Sequence, residues 1–181
     1  MNKSLLVGFA VLVAIVVVVL YVNTKKPGGA PDTSLTANFK DATYNIEGQL
    51  VTLRDGVAET EIAPGSASKL VTRYFGNEAF GDLNNDGTED AAFLITQDAG
   101  GSGTFFYAVA ALRIGTGYRG TNGILLGDRV APQPTEIRGS QIIVNYAERR
   151  PGDPMTARPS VGVSKYLHLE GTELKEGARL D

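Results

Sequence analysis

The sequence predicts a mainly β domain, with antiparallel sheets in a sandwich- or barrel-like arrangement, behind one N-terminal transmembrane helix. Three observations lead there. Gly occurs 22 times in 181 residues and punctuates short apolar runs, as expected of strands joined by turns. Two runs, residues 91–96 and 104–114, are almost continuously apolar, which suits central strands covered on both faces. Finally, the chain opens with a single unbroken apolar stretch.

That stretch is residues 5–22, and as a helix of about 18 residues it would span roughly 27 Å, close to the hydrocarbon thickness of a bilayer. A cleaved signal peptide would have a shorter apolar core and a small-x-small cleavage site. The best match here, Gly28-Gly29-Ala30, is followed by Pro31, whose ring makes a poor residue just after a cut. The expectation is a retained anchor over 1–22. Residues 23–41 contain Pro27, Gly28, Gly29, Pro31 and Ser34 and read as a flexible spacer, leaving 42–181 as one domain. Lys3 flanks one side of the anchor and Lys25 and Lys26 the other, so the positive-inside rule does not orient it.

Removing those three lysines from the 17 basic residues leaves 14 against 20 acids, a net charge of −6 on the domain. Such a balance argues against a nucleic-acid partner, which needs clustered Lys and Arg. The chain has no Cys, so disulfides, thiolate metal sites and a lipid-modified cysteine are excluded.

Along the domain, Thr43–Ile46 and 49–53 alternate in the manner of short strands, and Asp55-Gly56 is a hairpin-turn signal before a run at 57–62. Pro64-Gly65 interrupts, and 69–74 resumes, with a short helix allowed over 66–74. Strands 91–96 and 104–114 join through 98–103. Runs at 123–126, 135–138 and 141–146 follow, the last two as a hairpin around Gly139-Ser140. Residues 151–159 read as a long irregular loop. The chain closes with a hairpin of 161–169 and 173–175 around Gly171.

One segment carries recognisable chemistry. Asp82, Asn84, Asp86, Gly87, Thr88 and Asp90 fit the D-x-[DN]-x-D-G calcium pattern. Calcium takes six to eight oxygens, and oxygens on alternate residues of a tight loop can converge on one point. Asp82, Asn84 and Asp86 would give side-chain oxygens, Thr88 its carbonyl, and Asp90 a carboxylate. Position twelve, where an EF-hand supplies a bidentate Glu, is Phe93, so the loop is not an EF-hand and instead resembles those of dockerin modules and FG-GAP repeats. Without that carboxylate its affinity falls in the range of extracellular modules, about 10⁻⁴–10⁻³ M, which points the domain away from a cytosol.

Other candidates are weaker. Gly100-Gly101-Ser102-Gly103 lacks the Lys-Ser/Thr of a phosphate loop and the final Gly of a nucleophile elbow, so it reads as a turn. His168 alternates with Leu167 and Leu169 and reads as a surface residue. Arg149, Arg150 and Arg158 crowd a Pro-rich loop with Glu148, Asp153 and Met155, and could hold a carboxylate or a glycan phosphate. Glu89, Asp90 and Asp98 supply enough acids for glycosidase chemistry by count alone.

The strings YFGNEAFGDLNNDGTEDAAFLITQDAGGSGTFFYAVAAL, LLGDR and VNYAERRPGDPM resemble an uncharacterised family of exported and membrane-anchored bacterial proteins. Its members share a DLNxDG loop, a GGSGTFxY strand, an LGDR element and a late DPM loop. The resemblance covers most of the domain and implies export to the periplasm or cell exterior, without an activity. Some relatives place Cys-Cys-Pro after DPM; here Thr156-Ala157-Arg158-Pro159 stands in that stretch, so no thiol chemistry carries over. The leading expectation is a membrane-anchored module binding an envelope protein or glycan, with structural calcium. A hydrolase of envelope polymers and an inhibitor of a cell-wall lytic enzyme are the alternatives.

Overall fold

The computed structural model describes residues 35–180, so the expected anchor over 1–22 and the spacer up to residue 34 lie outside the described residues. Within 35–180 the protein is mainly β. Twelve strands form three antiparallel sheets. β1 (Thr43–Ile46) and β2 (Gln49–Thr52) make a two-stranded hairpin. β3 (Val57–Glu61), β4 (Lys69–Gly81), β5 (Asp90–Asp98), β6 (Phe105–Ile114) and β7 (Gly117–Gly120) pair in that order, and β8 (Ile124–Asp128) also pairs with β6. β9 (Ala131–Arg138), β10 (Gln141–Glu148), β11 (Val161–Glu170) and β12 (Glu173–Gly177) form the four-stranded sheet in the order β12-β11-β10-β9.

The continuously apolar runs occupy the middle layer. On β5, Ala92 and Leu94 face the four-stranded sheet, packing with Ile142, Val144, Tyr146, Leu167 and Leu174. Ala91, Phe93 and Ile95 face the other way, against Tyr44, Ile46, Val51 and Leu53 of the β1–β2 hairpin. β6 divides likewise, with Phe106, Ala108, Ala110 and Leu112 on one side and Tyr107, Val109 and Ala111 on the other. Successive side chains of a strand point to opposite faces, so an unbroken apolar run is stable only where both faces are covered. Here both are.

The domain starts before the boundary at residue 42. Thr36 pairs with Tyr118 through N–H···O bonds of 3.3 and 2.7 Å. Phe39 lies 5.2 Å from the Phe93 ring and 5.7 Å from Tyr118, centroid to centroid. Residues 36–41, expected as spacer, are therefore fixed on the domain by an aromatic anchor that the Pro- and Gly-rich composition upstream obscured. The short helix is also displaced. Ser66–Ser68 form a turn running directly into β4, and the one helical turn among the described residues is the 3-10 turn Phe39–Asp41, capped by the Asn38 side chain.

Asp55 and Gly56 adopt φ of 50° and 78°, the pair of positive values a two-residue turn requires. Only Arg54 and Val57 bridge across it. Beyond them the strands part, β2 to β1 and β3 to β4, so the turn links two sheets and does not close a hairpin. β4 runs much longer than its alternating segment because Gly76 and Asn77, with φ of 107° and 61°, bulge it without ending its pairing with β5. The Asn77 amide then donates to Gln133 O at 2.6 Å, stitching β4 to β9 of the other sheet.

Candidate functional site

The 82–90 loop joins β4 to β5, and its side chains turn inward on its own backbone. Asp82 Oδ1 and Asn84 Oδ1 both accept from the Asp86 N–H, at 3.1 and 3.0 Å, and Asp82 Oδ2 accepts from Gly87 N–H at 2.9 Å. Asp86 Oδ1 accepts from the Thr88 N–H at 2.8 Å and from the Thr88 hydroxyl, while Asp86 Oδ2 accepts from the Asn84 amide at 2.9 Å. Those bonds hold the Asp86 carboxyl below the usual carboxylate range, the Thr88 hydroxyl contributing most. Asn85 and Gly87 sit at φ of 59° and 82°, the left-handed conformation that lets so short a loop reverse. Leu83 points down into the core between the two larger sheets and anchors the turn.

Asp90 stands apart from the other expected ligands. It is fully buried, and its oxygens accept from Leu83 N–H at 3.0 Å and Arg113 N–H at 2.8 Å. Its carboxylate thus braces the loop to β6. Burial pushes its pKa up, against the pull of those two N–H groups, and the nearby Asp86 and Asp82 charges add to the rise. Among the described residues, no group of three or more His, Cys, Asp or Glu side chains is gathered to hold a metal. What the loop brings together is two carboxylates, one amide oxygen and a hydroxyl, a mixed oxygen set of the kind a hard cation takes.

The opposite end of β5 and β6 gathers three of the four motif segments. Asp128, in the LGDR string, accepts from Thr104 N–H at 2.8 Å, and Arg129 N–H donates to Thr104 O at 2.7 Å. The Arg129 guanidinium grips the Asp128 carboxylate through Nη2 at 2.9 Å and Nε at 3.1 Å, holding its pKa below the ordinary range. Arg149 donates from Nε to Ala157 O at 2.7 Å, and from Nη1 to Arg129 O at 3.0 Å and Asp128 O at 3.3 Å. Of the three arginines proposed to hold a ligand, Arg149 is therefore a structural clamp on the 151–159 loop. Arg150 and Arg158 are exposed on either side of Met155, itself half-exposed.

The remaining candidates separate in space. Asp90 and Asp98 bracket β5, about 27 Å apart at ~3.4 Å per residue, so they cannot act on one glycosidic bond. Ser102 sits in the exposed bend after Gly100, whose N–H is held by Asp98 Oδ1 at 2.6 Å. His168 is partly exposed, 3.5 Å from Glu170, and with Asn84, Asn85 and Ser140 it lines a surface cavity of about 550 Å³ beside the acidic loop. Asp128 was legible only as part of the LGDR string, because its partner Thr104 lies far away in sequence. In comparisons with protein-family models, with curated proteins and with solved structures, nothing matches the chain.

Proposed function

We propose that this domain is a binding module of a bacterial cell envelope, held at a membrane by residues 1–22, and that calcium stiffens its 82–90 loop. The observation that carries the metal reading is the crowding of Asp82, Asn84 and Asp86 oxygens around the Asp86 and Thr88 amides, on alternate residues of one turn. Among the described residues, no Lys or Arg pairs with these carboxylates. Packed carboxylates repel unless a cation neutralises them. Asp82, Asn84, Asp86 and the Thr88 carbonyl are the ligands, and Asp90 keeps the turn in shape from beneath. A site with so few carboxylates fills at millimolar calcium and not at cytosolic levels, which supports a domain facing the periplasm or the cell exterior.

Isothermal titration of residues 33–181 with calcium chloride tests this. Saturable uptake with a dissociation constant of about 10⁻⁴–10⁻³ M is expected, and it should vanish in the Asp82→Ala, Asp86→Ala double variant. No heat of binding in millimolar calcium would remove both the metal and its vote on orientation.

The inhibitor reading has its own support in the 151–159 loop. Its turns are closed by Asp153 N–H to Arg150 O at 3.0 Å and Ala157 N–H to Pro154 O at 2.8 Å, and Arg149 clamps its base. A pre-ordered loop presenting Arg150, Met155 and Arg158 is the kind of projection that plugs an enzyme cleft, since little entropy is lost on docking. Inhibition of a muramidase or amidase by the domain, lost on Met155→Asp, would favour it over the simple module.

A further inference from the structure

We propose that the cleft beside the 82–90 loop is a binding site for a neutral saccharide. The cleft, about 550 Å³, is enclosed by that loop, by the turns at Ser140 and Gly171, and by the tail at Ala178 and Leu180. Such a site gives the binding module a ligand class and rests on that reading, yet it needs no calcium in the loop.

Its polar groups are open to solvent and uncommitted. Asn85 is exposed and Ser140 half-buried. Among the described residues neither side chain forms a hydrogen bond, unlike those of Asn84 and Gln141, whose amides are bonded within the protein. The His168 side chain is 36% exposed, and its ring lies against Gly177, where a Cβ would come 2.8 Å from Cε1. Its Nε2 is 3.5 Å from the Glu170 carboxylate, too far for a strong hydrogen bond. A carboxamide, a hydroxyl and an imidazole each donate and accept. A carboxylate only accepts and an ammonium only donates, so neither answers the whole set, whereas closely spaced hydroxyls do. Charge argues the same way. Asp82 and Asp86 belong to one wall, and Arg138 and Arg179 line the adjoining cleft across Ser140 and Leu180. An anion meets the carboxylates and a cation the guanidiniums, so a neutral ligand enters with least opposition.

Beneath the polar rim the cleft is apolar. Leu83 is buried at its floor, Leu169 is half-buried and Leu180 is exposed at the edge. Hydroxyls over an apolar surface suit a sugar ring, which presents a C–H face below its polar edge. The walls are set before a ligand arrives. The buried Gln141 amide donates to Ala178 O at 2.8 Å and accepts from Leu180 N–H at 3.0 Å, which staples the tail to β10. Asn85 is held at φ 59° because Asp82 accepts from the Asp86 and Gly87 N–H groups and closes the turn around it. Rigid walls lower the entropy lost on binding. The volume falls within the roughly 300–1,000 Å³ of small-ligand sites, enough for about one or two sugar rings.

The test follows the main-chain and side-chain amide resonances of the full chain, in micelles of a detergent without sugar, during titration with diacetylchitobiose, cellobiose and trialanine, each in calcium and in EDTA. Saturable shifts with the sugars, centred on the Asn85 amide, Ser140 and Gly171 and present in EDTA as in calcium, are expected. Tighter binding of diacetylchitobiose assigns the apolar floor to the acetyl methyl, and equal binding assigns it to the ring. Asn85→Gly, which keeps the positive φ, and Ser140→Ala should each weaken binding about two- to tenfold, the worth of one hydrogen bond. Ala178→Trp fills the cleft from an exposed position and should abolish binding. Sugar uptake that survives Ala178→Trp overturns the cleft and spares the module, whereas hydrolysis of diacetylchitobiose would overturn the module itself. Equal shifts with trialanine, or no saturation in tens of millimolar sugar, overturn the proposal.

Discussion

Asp90 and Asp128 sit at opposite ends of the central strands and do the same mechanical task in opposite electrostatic settings. Each accepts a main-chain N–H from a segment distant in sequence, Asp90 from Arg113 of β6 and Asp128 from Thr104 just before it. Asp128 has the Arg129 guanidinium on its carboxylate, and its pKa falls; Asp90 has only N–H dipoles, lies fully buried among other acids, and its pKa rises. The difference teaches that an identical brace can be neutralised from within the chain at one end and left with backbone dipoles alone at the other. The chain's own positive charge closes the arginine end of the domain. At the acidic end the geometry leaves negative charge uncompensated.

The sharpest way to break this comparison is Asp90→Ala. It strands the buried Leu83 N–H and the part-buried Arg113 N–H, and urea unfolding of residues 33–181 should show a loss of about 3 kcal/mol. A loss no larger than that of Asp128→Ala would mean that burial does not distinguish the two braces. Next in size is Arg149→Ala, with an expected loss of about 2 kcal/mol from three carbonyls left without a donor. Amide exchange at Asp153, Ala157 and Ser160 should then quicken, and Arg149→Lys should not restore it, because one ammonium cannot reach all three carbonyls.

Acid sharpens the comparison further. The folded-state pKa of Asp128 lies below its unfolded value, so its contribution is complete above the ordinary carboxylate range and is lost as pH falls through the folded value. Unfolding measured from pH 7 down to about 3 should therefore fall less steeply in Asp128→Asn than in the parent. A parallel fall would show that Arg129 and Asp128 do not couple. The smallest effects belong to Arg150→Ala and Arg158→Ala. Both side chains are exposed, and each change should move stability by no more than about 0.5 kcal/mol in a thermal melt. A larger shift at either would place it in the clamp with Arg149.

The strand pattern was readable where burial alone writes the sequence. Both apolar runs became the doubly covered strands β5 and β6, and Gly139-Ser140 and Gly171 closed the hairpins expected of them. β7, with the sequence Gly-Tyr-Arg-Gly, carries no alternation and was missed, because its place depends on a neighbour's edge and on the close approach of Thr43 to Gly120. The first half of β9 was hidden by Pro132 and Pro134, residues tolerated there because β9 is an edge strand. The acidic loop was recognisable from spacing, yet Asp90's inward role was not, since the N–H of Arg113 comes from the next strand.

The sequence by itself determined the class of the domain, the layer to which its greasiest strands belong, and the oxygen-rich turn. These are local properties: alternation, composition and spacing act through nearest neighbours. Tertiary structure alone decided that Arg149 clamps a loop, that Asp90 is a buried brace, and that Asn85 and Ser140 line one cleft. Each of those roles depends on which strands lie side by side, and pairing energy between distant segments leaves no periodic mark on either one.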